Sequence, residues 1–299
     1  MKEIKDRMNS VAETQKITNA MYLISSTKME KARRELEATR PYFVALRGEI
    51  KRIFRTAGHD VQSRYFFPLD EREDIEGTYG LLVITADKGL AGSYNQNVIR
   101  EAERLLKDHE DTKLYVVGEY GRHYFMKHGI PIEQSFLYTA QNPSLKRARE
   151  INRVLQGEFD EGNLKKILIV YTDLKNQMTG EAISYRLLPL HRKFFIDTQD
   201  KPVTTEFEFL PSVEEVLDSV TRSYMAGFIY SALVDSFCCE QNARMQAMKS
   251  ANDNAADIIS ELSVEYNSVR QGAITQEITE VSAGAKAQAQ KHNKEAYGR

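Results

Sequence analysis

The segment whose residue types could best support chemistry is the glycine-bearing stretch Asp87-Lys-Gly-Leu-Ala-Gly-Ser-Tyr-Asn95. It follows an apolar run, Tyr79 to Thr85, that indicates a buried strand. The turn after the first strand is where doubly wound folds bind ligands, and its glycines would let a backbone approach a phosphate. However, the segment matches neither GxGxxG nor GxxxxGK[ST]. We therefore favour a tight strand-to-helix turn, and a nucleotide-dependent enzyme remains an open alternative.

The other reactive side chains show no catalytic or metal-binding spacing. The six histidines contain no HExxH pattern, and no serine lies in a GxSxG motif. Cys238 and Cys239 are adjacent in a helical pattern, where neighbouring side chains diverge, so they are poorly placed to pair and too few for a zinc site. We predict no catalytic residue, no cofactor and no metal, and the absence of a disulfide framework indicates a reducing compartment.

The element that must position everything else is the C-terminal run from Ser212 to about Gln290, which has no proline. Its apolar positions recur at alternating steps of three and four, the period of a coiled-coil seam. A helix of this length would span roughly 110 Å. It therefore needs a partner helix, a surrounding protein, or both. The seam positions are Val213, Leu217, Val220, Tyr224 and Phe228, then Ala255, Ile259, Leu262, Tyr266, Val269 and Ala273.

The N-terminal residues 1–57 repeat the same pattern, from Ile4 through Met8, Val11 and onwards to Ile53. Pro41 is expected to kink this helix or to split it in two. Because two long helices bracket the chain, we predict an antiparallel coiled coil that carries an inserted domain. Polar residues at seam positions are expected to fix its register; they are Gln15, Thr18, Ser25, Thr39, Gln241 and Asn252.

The middle of the chain alternates strand and helix patterns, which predicts βαβ units and a parallel core sheet, a Rossmann-like α/β domain. The expected strands are Tyr79–Thr85, Lys113–Gly118 and Lys165–Tyr171, followed by Ala182–Leu190 and Thr204–Leu210 at an antiparallel edge. The expected helices are Asn95–Asp108, Glu119–His128 and Ser144–Gln156. The domains are thus predicted as a helix at 1–57, a connector at 58–77, the α/β domain at 78–211, and a helix with a polar tail at 212–299.

The distribution of charge and hydropathy indicates which classes of partner the chain can have. The chain balances 41 Lys and Arg against 43 Asp and Glu, but residues 1–55 hold 13 basic residues against 7 acidic ones. The basic residues are interleaved with acids, so we expect a solvated face or an acidic protein partner rather than nucleic acid. No apolar window is long enough to cross a membrane, and the first residues lack the apolar core of a signal peptide.

Four stretches together resemble the gamma subunit of F-type ATP synthases. Thr14-Gln-Lys-Ile-Thr-Asn-Ala-Met21 is similar to the TQKIT-x-AM signature of that family, and Asp87 to Asn95 is similar to its D-[RK]-G-L-x-G-x-[YF]-N turn. Glu240 to Ala255 and Tyr266 to Glu280 resemble its two diagnostic C-terminal segments. Their order and spacing agree over nearly the whole chain.

The resemblance implies a rotor rather than a catalyst. In that family the coiled coil is a shaft inside a ring of alternating alpha and beta subunits, and the α/β domain is a foot near the membrane that meets the epsilon subunit and the membrane c-ring. It implies a peripheral, non-catalytic subunit on the cytoplasmic face of a prokaryotic inner membrane. Carried over by position, the ring contacts fall on Met21, Arg244, Gln271, Thr275 and Glu277.

Three features depart from the pattern of the family. Asn19 stands where lysine is common, and Ala91 stands where cysteine is frequent. The polar tail 286–299 replaces an apolar tip. These departures leave open the rotor of a variant ion-pumping F-type ATPase. The periodicity alone would equally allow a structural coiled-coil adaptor of another complex, and the nucleotide-dependent enzyme also stays open.

Overall fold

The computed structural model describes residues 1–58, 61–67, 75–137, 140–176, 179–195 and 208–296. The described helices are α1 (Lys2–Ala57), α2 (Tyr94–Asp108), α3 (Glu119–Lys127), α4 (Leu145–Asp160) and α5 (Val213–Ala296), with a 3-10 turn at Arg192–Phe194. The strands are β1 (Tyr79–Ile84), β2 (Thr112–Val117), β3 (Gln134–Phe136), β4 (Lys166–Asn176) and β5 (Thr179–Leu188). The predicted combination of two long terminal helices and an inserted α/β sheet is confirmed.

The five strands form one mixed sheet in the order β3-β2-β1-β4-β5. β1 pairs in parallel with both β2 and β4, β2 pairs in parallel with β3, and β4 pairs with β5 in the antiparallel sense. The parallel core and the antiparallel late edge are therefore as predicted. β3 was not predicted, because three residues are too few to show an alternating pattern.

Alternate side chains of the strands are buried in two separate hydrophobic cores, one on each face of the sheet. Leu81 and Val83 of β1 face one layer, which contains residues of α2 and α3. Leu82 and Ile84 face the opposite layer, where α4 packs together with parts of α1 and α5. Since both faces are covered by apolar residues, β1 is a continuous hydrophobic run, as buried parallel strands usually are.

The chain divides into two compact units. The smaller unit contains Met1–Leu23 and Met248–Arg299, and the larger contains Ile24–Ala247. The larger unit therefore includes the second half of α1 and the beginning of α5 together with the sheet. The domain division expected from the sequence stays a prediction.

In the larger unit, α1 and α5 run antiparallel. The ring of Phe43 lies 6.3 Å from that of Tyr230, and the thiol of Cys238 lies 3.9 Å from the carbonyl oxygen of Met29. Residue numbers therefore increase along α1 in the direction in which they decrease along α5. Phe43 also packs close to Gly227, where an added Cβ would overlap the ring.

In the smaller unit, three of the polar seam residues pair across the helices. Gln15 donates from Nε2 to the backbone carbonyl of Asn252 at 3.3 Å, and the hydroxyl of Thr18 donates to the Asn252 side-chain oxygen. A sliding of one helix along the other would break both bonds. This supports the expectation that polar seam positions set the register.

Pro41 lies inside α1 without interrupting it, so the alternative of two separate helices is wrong. A proline inside a helix removes one backbone hydrogen bond and costs about 3 kcal/mol. Leu36 and Phe43, on either side of Pro41, pack against the large core. Burial of these flanking side chains offsets the cost, and the helix continues.

The connector between α1 and β1 is less polar than its sequence suggests. Tyr65, Phe66 and Phe67 are buried, and the guanidinium of Arg192 donates to the carbonyls of Val61 and Phe67 at 2.7 and 2.8 Å. The charged residues 68–74, which dominate its composition, lie outside the described residues. So do residues 204–207 of the last predicted strand, and 208–210 form no strand.

The packing leads us to expect that a fragment of residues 78–210 does not fold by itself, although the sequence pattern of its strands and helices predicts a core of its own. Ile50, Ile53 and Phe54 of α1 and Leu217 and Ile229 of α5 cover part of one sheet face. Without them the sheet exposes a large apolar surface. Near-ultraviolet circular dichroism should show little aromatic signal from the fragment and a strong signal from the full chain. A sharp aromatic spectrum from the fragment would contradict this expectation.

Gly227→Ala should destabilise the protein by about 1 to 3 kcal/mol, because overpacking forces the Phe43 ring and its helix apart. Gly48→Ala is the matched control, since Gly48 is also helical and a Cβ there meets nothing within 4 Å. That variant should gain about 0.5 to 1 kcal/mol from helix propensity. Urea unfolding of both variants measures the difference, and equal effects would disprove the close contact.

Candidate interaction sites

The place where a doubly wound sheet usually binds a ligand is filled by the protein itself. The strand order reverses between β1 and β4, so the crevice lies beyond their carboxyl ends. There Tyr94 of α2 and Cys239 of α5 pack with Ala86 and Ala91 in a small buried cluster. Tyr94 is buried, and this burial raises the pKa of its hydroxyl well above the ordinary value.

A cavity of about 190 Å³ remains beside this cluster. Small-molecule sites usually have about 300 to 1,000 Å³, so this space is too small for a nucleotide. Its lining is mostly polar or small and includes Ser93, Asn97, Thr172, Asn242 and Gln246. Among the described residues there is also no group of three or more His, Cys, Asp or Glu side chains that could hold a metal ion. The crevice thus serves as a packing surface for α5.

The turn between β1 and α2 is held at both ends by side chains. Asn95 accepts a hydrogen bond from the Ala86 amide at 2.9 Å, and Asp87 accepts one from the Glu119 amide at 3.0 Å. Between these anchors Leu90 has a positive φ of 61° and is 65% exposed. A left-handed non-glycine residue is strained, so the surrounding bonds must hold the turn in this shape.

Arg244 of α5 is the side chain that reaches this turn. Its Nη2 donates to the Gly89 carbonyl at 3.1 Å, while Nη1 pairs with the Glu240 carboxylate at 2.7 Å. Both side chains are about 90% buried. Burial raises the pKa of the Glu240 carboxyl, with a further contribution from Asp87, and the Arg244 charge opposes that shift. A buried charge pair of this kind is stable only while both partners are present.

The other expected contact residues lie in the smaller unit. Gln271, Thr275 and Glu277 are exposed on α5, and the Thr275 hydroxyl donates to the Gln271 carbonyl at 2.9 Å. Met21 lies on α1 and is partly buried. The structure thus brings Gln271 and Thr275 together and places Arg244 in the larger unit, engaged with its own chain.

The stretch of α5 that carries these polar residues is unusually apolar for an exposed helix. Every residue from 267 to 288 is exposed. Large apolar side chains recur along it and just before it, with exposures between 42% and 69%: Val264, Val269, Ile274, Ile278 and Val281. Ile274, Ile278 and Val281 follow one another at steps of four and three and therefore share one face of the helix. An exposed apolar face of this kind is typical of a site of interaction with another protein.

Two important residues of these sites were not identified from the sequence. Tyr94 fills the crevice, and Glu240 holds Arg244. The Glu240–Arg244 spacing of four residues does favour an ion pair on a helix. The burial of this ion pair against the turn depends on which face of α5 meets the sheet, and the periodicity of the sequence alone does not determine which face it is.

A buried acidic and thiol cluster lies near the crevice. Burial and the nearby Asp173 raise the pKa of the Asp235 carboxyl to about 7. Burial also raises the pKa of both the Cys238 and Cys239 thiols to about 12, with a contribution from Asp235. Both cysteines are free and buried, and buried thiols with a raised pKa are poor nucleophiles.

Comparison with known proteins assigns this chain to a family. The model of the ATP synthase family matches residues 1–288. The chain is 40% identical over 291 residues to the ATP synthase gamma chain of Acetivibrio thermocellus, and the match covers 95% of this chain and 98% of the relative. The chain belongs to the ATP synthase gamma-chain family.

Other members and a solved structure agree with the family assignment. The sodium ion specific ATP synthase gamma chain of Acetobacterium woodii is 35% identical over 303 residues, with 96% of this chain and 98% of the relative covered. The central stalk of Tetrahymena thermophila mitochondrial ATP synthase matches with a TM-score of 0.59 and 26% identity, over 79% of this chain and 99% of that one. Within its described residues, this gamma-chain family member has no helix that is long and apolar enough to cross a membrane.

Asp235→Asn should stabilise the protein at high pH by on the order of 2 kcal/mol. The folded carboxyl has a pKa of about 7 against an ordinary value of 3.8, so between these values the folded state holds a proton that the unfolded state has released. Stability is therefore lost as pH rises through this window, and the neutral amide removes that loss.

Urea midpoints of the parent and the variant at pH 4 and pH 8 measure this effect. The two proteins should differ little at pH 4 and clearly at pH 8. Asp257→Asn, at an exposed aspartate of the same helix, is the control and should show no pH-dependent difference. Parallel pH profiles for Asp235→Asn and its parent would contradict the buried carboxyl.

Proposed function

We propose that this chain is the rotor of an F-type ATP synthase and transmits torque between an ion-driven membrane ring and a catalytic alpha/beta hexamer. As a gamma-chain family member it is a central-stalk subunit of such a synthase. The observation that carries the rotor proposal is α5, a single uninterrupted helix of 84 residues that contributes to both compact units. A continuous helix can carry a twisting force from one unit to the other.

The chain itself is proposed to be non-catalytic. The crevice beyond β1 and β4 is filled by Tyr94 and Cys239, and the cavity beside them, of about 190 Å³, is smaller than a usual small-molecule site. ATP hydrolysis and synthesis then belong to partner subunits, and this chain changes their state by mechanical contact. This favours the rotor over a nucleotide-dependent enzyme.

We propose the alpha and beta subunits as the partners of the exposed α5 stretch 267–288, because its apolar side chains need a surrounding protein surface. The epsilon subunit and the membrane c-ring are the proposed partners of the sheet-bearing unit. The chain would then be a peripheral membrane protein on the cytoplasmic face of a prokaryotic inner membrane, which fits its bacterial relatives.

Within that arrangement Met21, Arg244, Gln271, Thr275 and Glu277 are the proposed ring contacts. The exposure of Gln271, Thr275 and Glu277 supports this role, since their polar groups are available to a partner. Arg244 would have to use the tenth of its side chain that remains exposed. Each contact must form and break in every turn, so its strength should be modest.

Glu277→Ala should lower coupled turnover by about tenfold, since a charge-assisted hydrogen bond contributes about 1.5 to 3 kcal/mol. Leu262→Asp should instead prevent assembly, because Leu262 is 6% exposed and an unpaired carboxylate there costs several kcal/mol. ATP hydrolysis, ion pumping and recovery of the assembled complex distinguish the two effects. Normal hydrolysis and pumping in an assembled Glu277→Ala complex would remove Glu277 from the contacts.

Native mass spectrometry of the endogenous complex tests the function as a whole. The rotor requires one copy of this chain with an alpha/beta hexamer and a c-ring. A structural adaptor would instead appear with other partners and without such a hexamer. A variant ion-pumping ATPase would keep the hexamer but carry out hydrolysis without net synthesis in membrane vesicles.

A further inference from the structure

We propose that Glu240 is a positioning residue that holds the Arg244 guanidinium against the Gly89 carbonyl, so that the tip of the turn at 87–90 is clamped to α5. The inference rests on the proposed rotor function for its consequence, but the clamp itself is a property of this chain. Its parts are a buried ion pair on one helix and a backbone carbonyl on an exposed turn.

The first step of the argument is the geometry of Arg244. One terminal nitrogen is 2.7 Å from Glu240 and the other is 3.1 Å from Gly89. A guanidinium has a planar, rigid fork of donors, so fixing one nitrogen fixes the direction of the other. Glu240 therefore determines where the donor to Gly89 points.

The second step is that the turn needs such a contact. Its base is anchored through Ala86 and Ala91 in the small core and through the Asn95 and Asp87 hydrogen bonds. Its tip, from Lys88 to Leu90, is exposed. Leu90 is in the left-handed region, a conformation that relaxes unless it is held. The Arg244 bond is made at this tip, next to Leu90.

The third step concerns the surroundings of Glu240. Its carboxylate lies near Asp87 of the turn and Lys28 of α1 as well as near Arg244. The repulsion from Asp87 would push an unpaired Glu240 away from the turn, and the Arg244 charge between turn and helix offsets it. The clamp thus joins the turn to α5 through the Arg244 side chain. A force on the tip then passes to α5 instead of bending the turn.

The test measures motion of the tip in the full-length chain. A nitroxide label on Lys88→Cys reports it by electron paramagnetic resonance, and the two native cysteines remain unlabelled because they are 1% and 4% exposed. Both Glu240→Gln and Arg244→Met should increase the fraction of fast, nanosecond motion by about twofold or more. Arg104→Met removes a similar Glu–Arg pair on α2 and should leave the spectrum unchanged.

The double variant Glu240→Gln with Arg244→Met separates positioning from general loosening. If Glu240 acts through Arg244, the double variant moves no more than Arg244→Met alone, whereas additive effects would overturn the proposal. Arg244→Lys keeps the charge beside Glu240 but has no fork to reach both partners, so it should retain the fold and still free the tip. An immobile tip in Arg244→Lys would also overturn the clamp.

A second measurement connects the clamp to function. In assembled complexes, Glu240→Gln should lower ion pumping per ATP hydrolysed while hydrolysis continues. If the tip becomes mobile while ion pumping per ATP hydrolysed is unchanged, the clamp is confirmed but has no role in the transmission of torque. A tip that stays immobile refutes the clamp whatever the complex does, so failure of the clamp and failure of the rotor function are distinguishable.

Discussion

The structure depends on the need of two long helices to bury an apolar stripe. Neither α1 nor α5 can fold back into a core of its own, so each packs against the other and, in the larger unit, against one face of the sheet. Ile50 and Phe54 of α1 and Leu217 and Ile229 of α5 share a single core with Leu82 and Ile169 of the sheet. The sheet and the helical pair are therefore one cooperative unit there, although their sequence patterns look independent.

The same constraint explains why only a small cavity of about 190 Å³ remains in the crevice beyond β1 and β4. Once α5 lies across the carboxyl ends of β1 and β4, its Cys239 and Ala243 occupy the place of a ligand beside Tyr94. The glycines of the neighbouring turn then serve a tight backbone path rather than a phosphate. The turn, which stands where doubly wound folds bind ligands, here provides a docking point for a helix.

Polar groups in the buried regions give the helices their specificity. Asn252 pairs with Gln15 and Thr18 in the smaller unit, and Glu240 pairs with Arg244 in the larger one. Such groups contribute little net stability but penalise any other register, because a shift leaves them unsatisfied. The exposed stretch 267–288 has the opposite character, since its apolar residues are not buried.

The sequence by itself determined the two long helices, the parallel core of the sheet and the family, because periodicity and local motifs are recorded in neighbouring residues. It also indicated that Gln15, Thr18 and Asn252 would be polar positions of the seam. It did not determine that α1 continues through Pro41, since flanking packing offsets the lost hydrogen bond only in the folded chain. It missed β3, which is too short to show a period.

Only the tertiary structure decided what lies against the turn at 87–92. The residues that meet there come from two separate parts of the chain: Gly89 from the turn, and Glu240 and Arg244 from α5. Their meeting depends on which face of α5 is turned to the sheet. A helical period predicts that the helix has an apolar face, but it does not predict which element packs against that face. The buried Asp235 with its raised pKa is the same case, since burial is a property of the assembled core and not of local sequence.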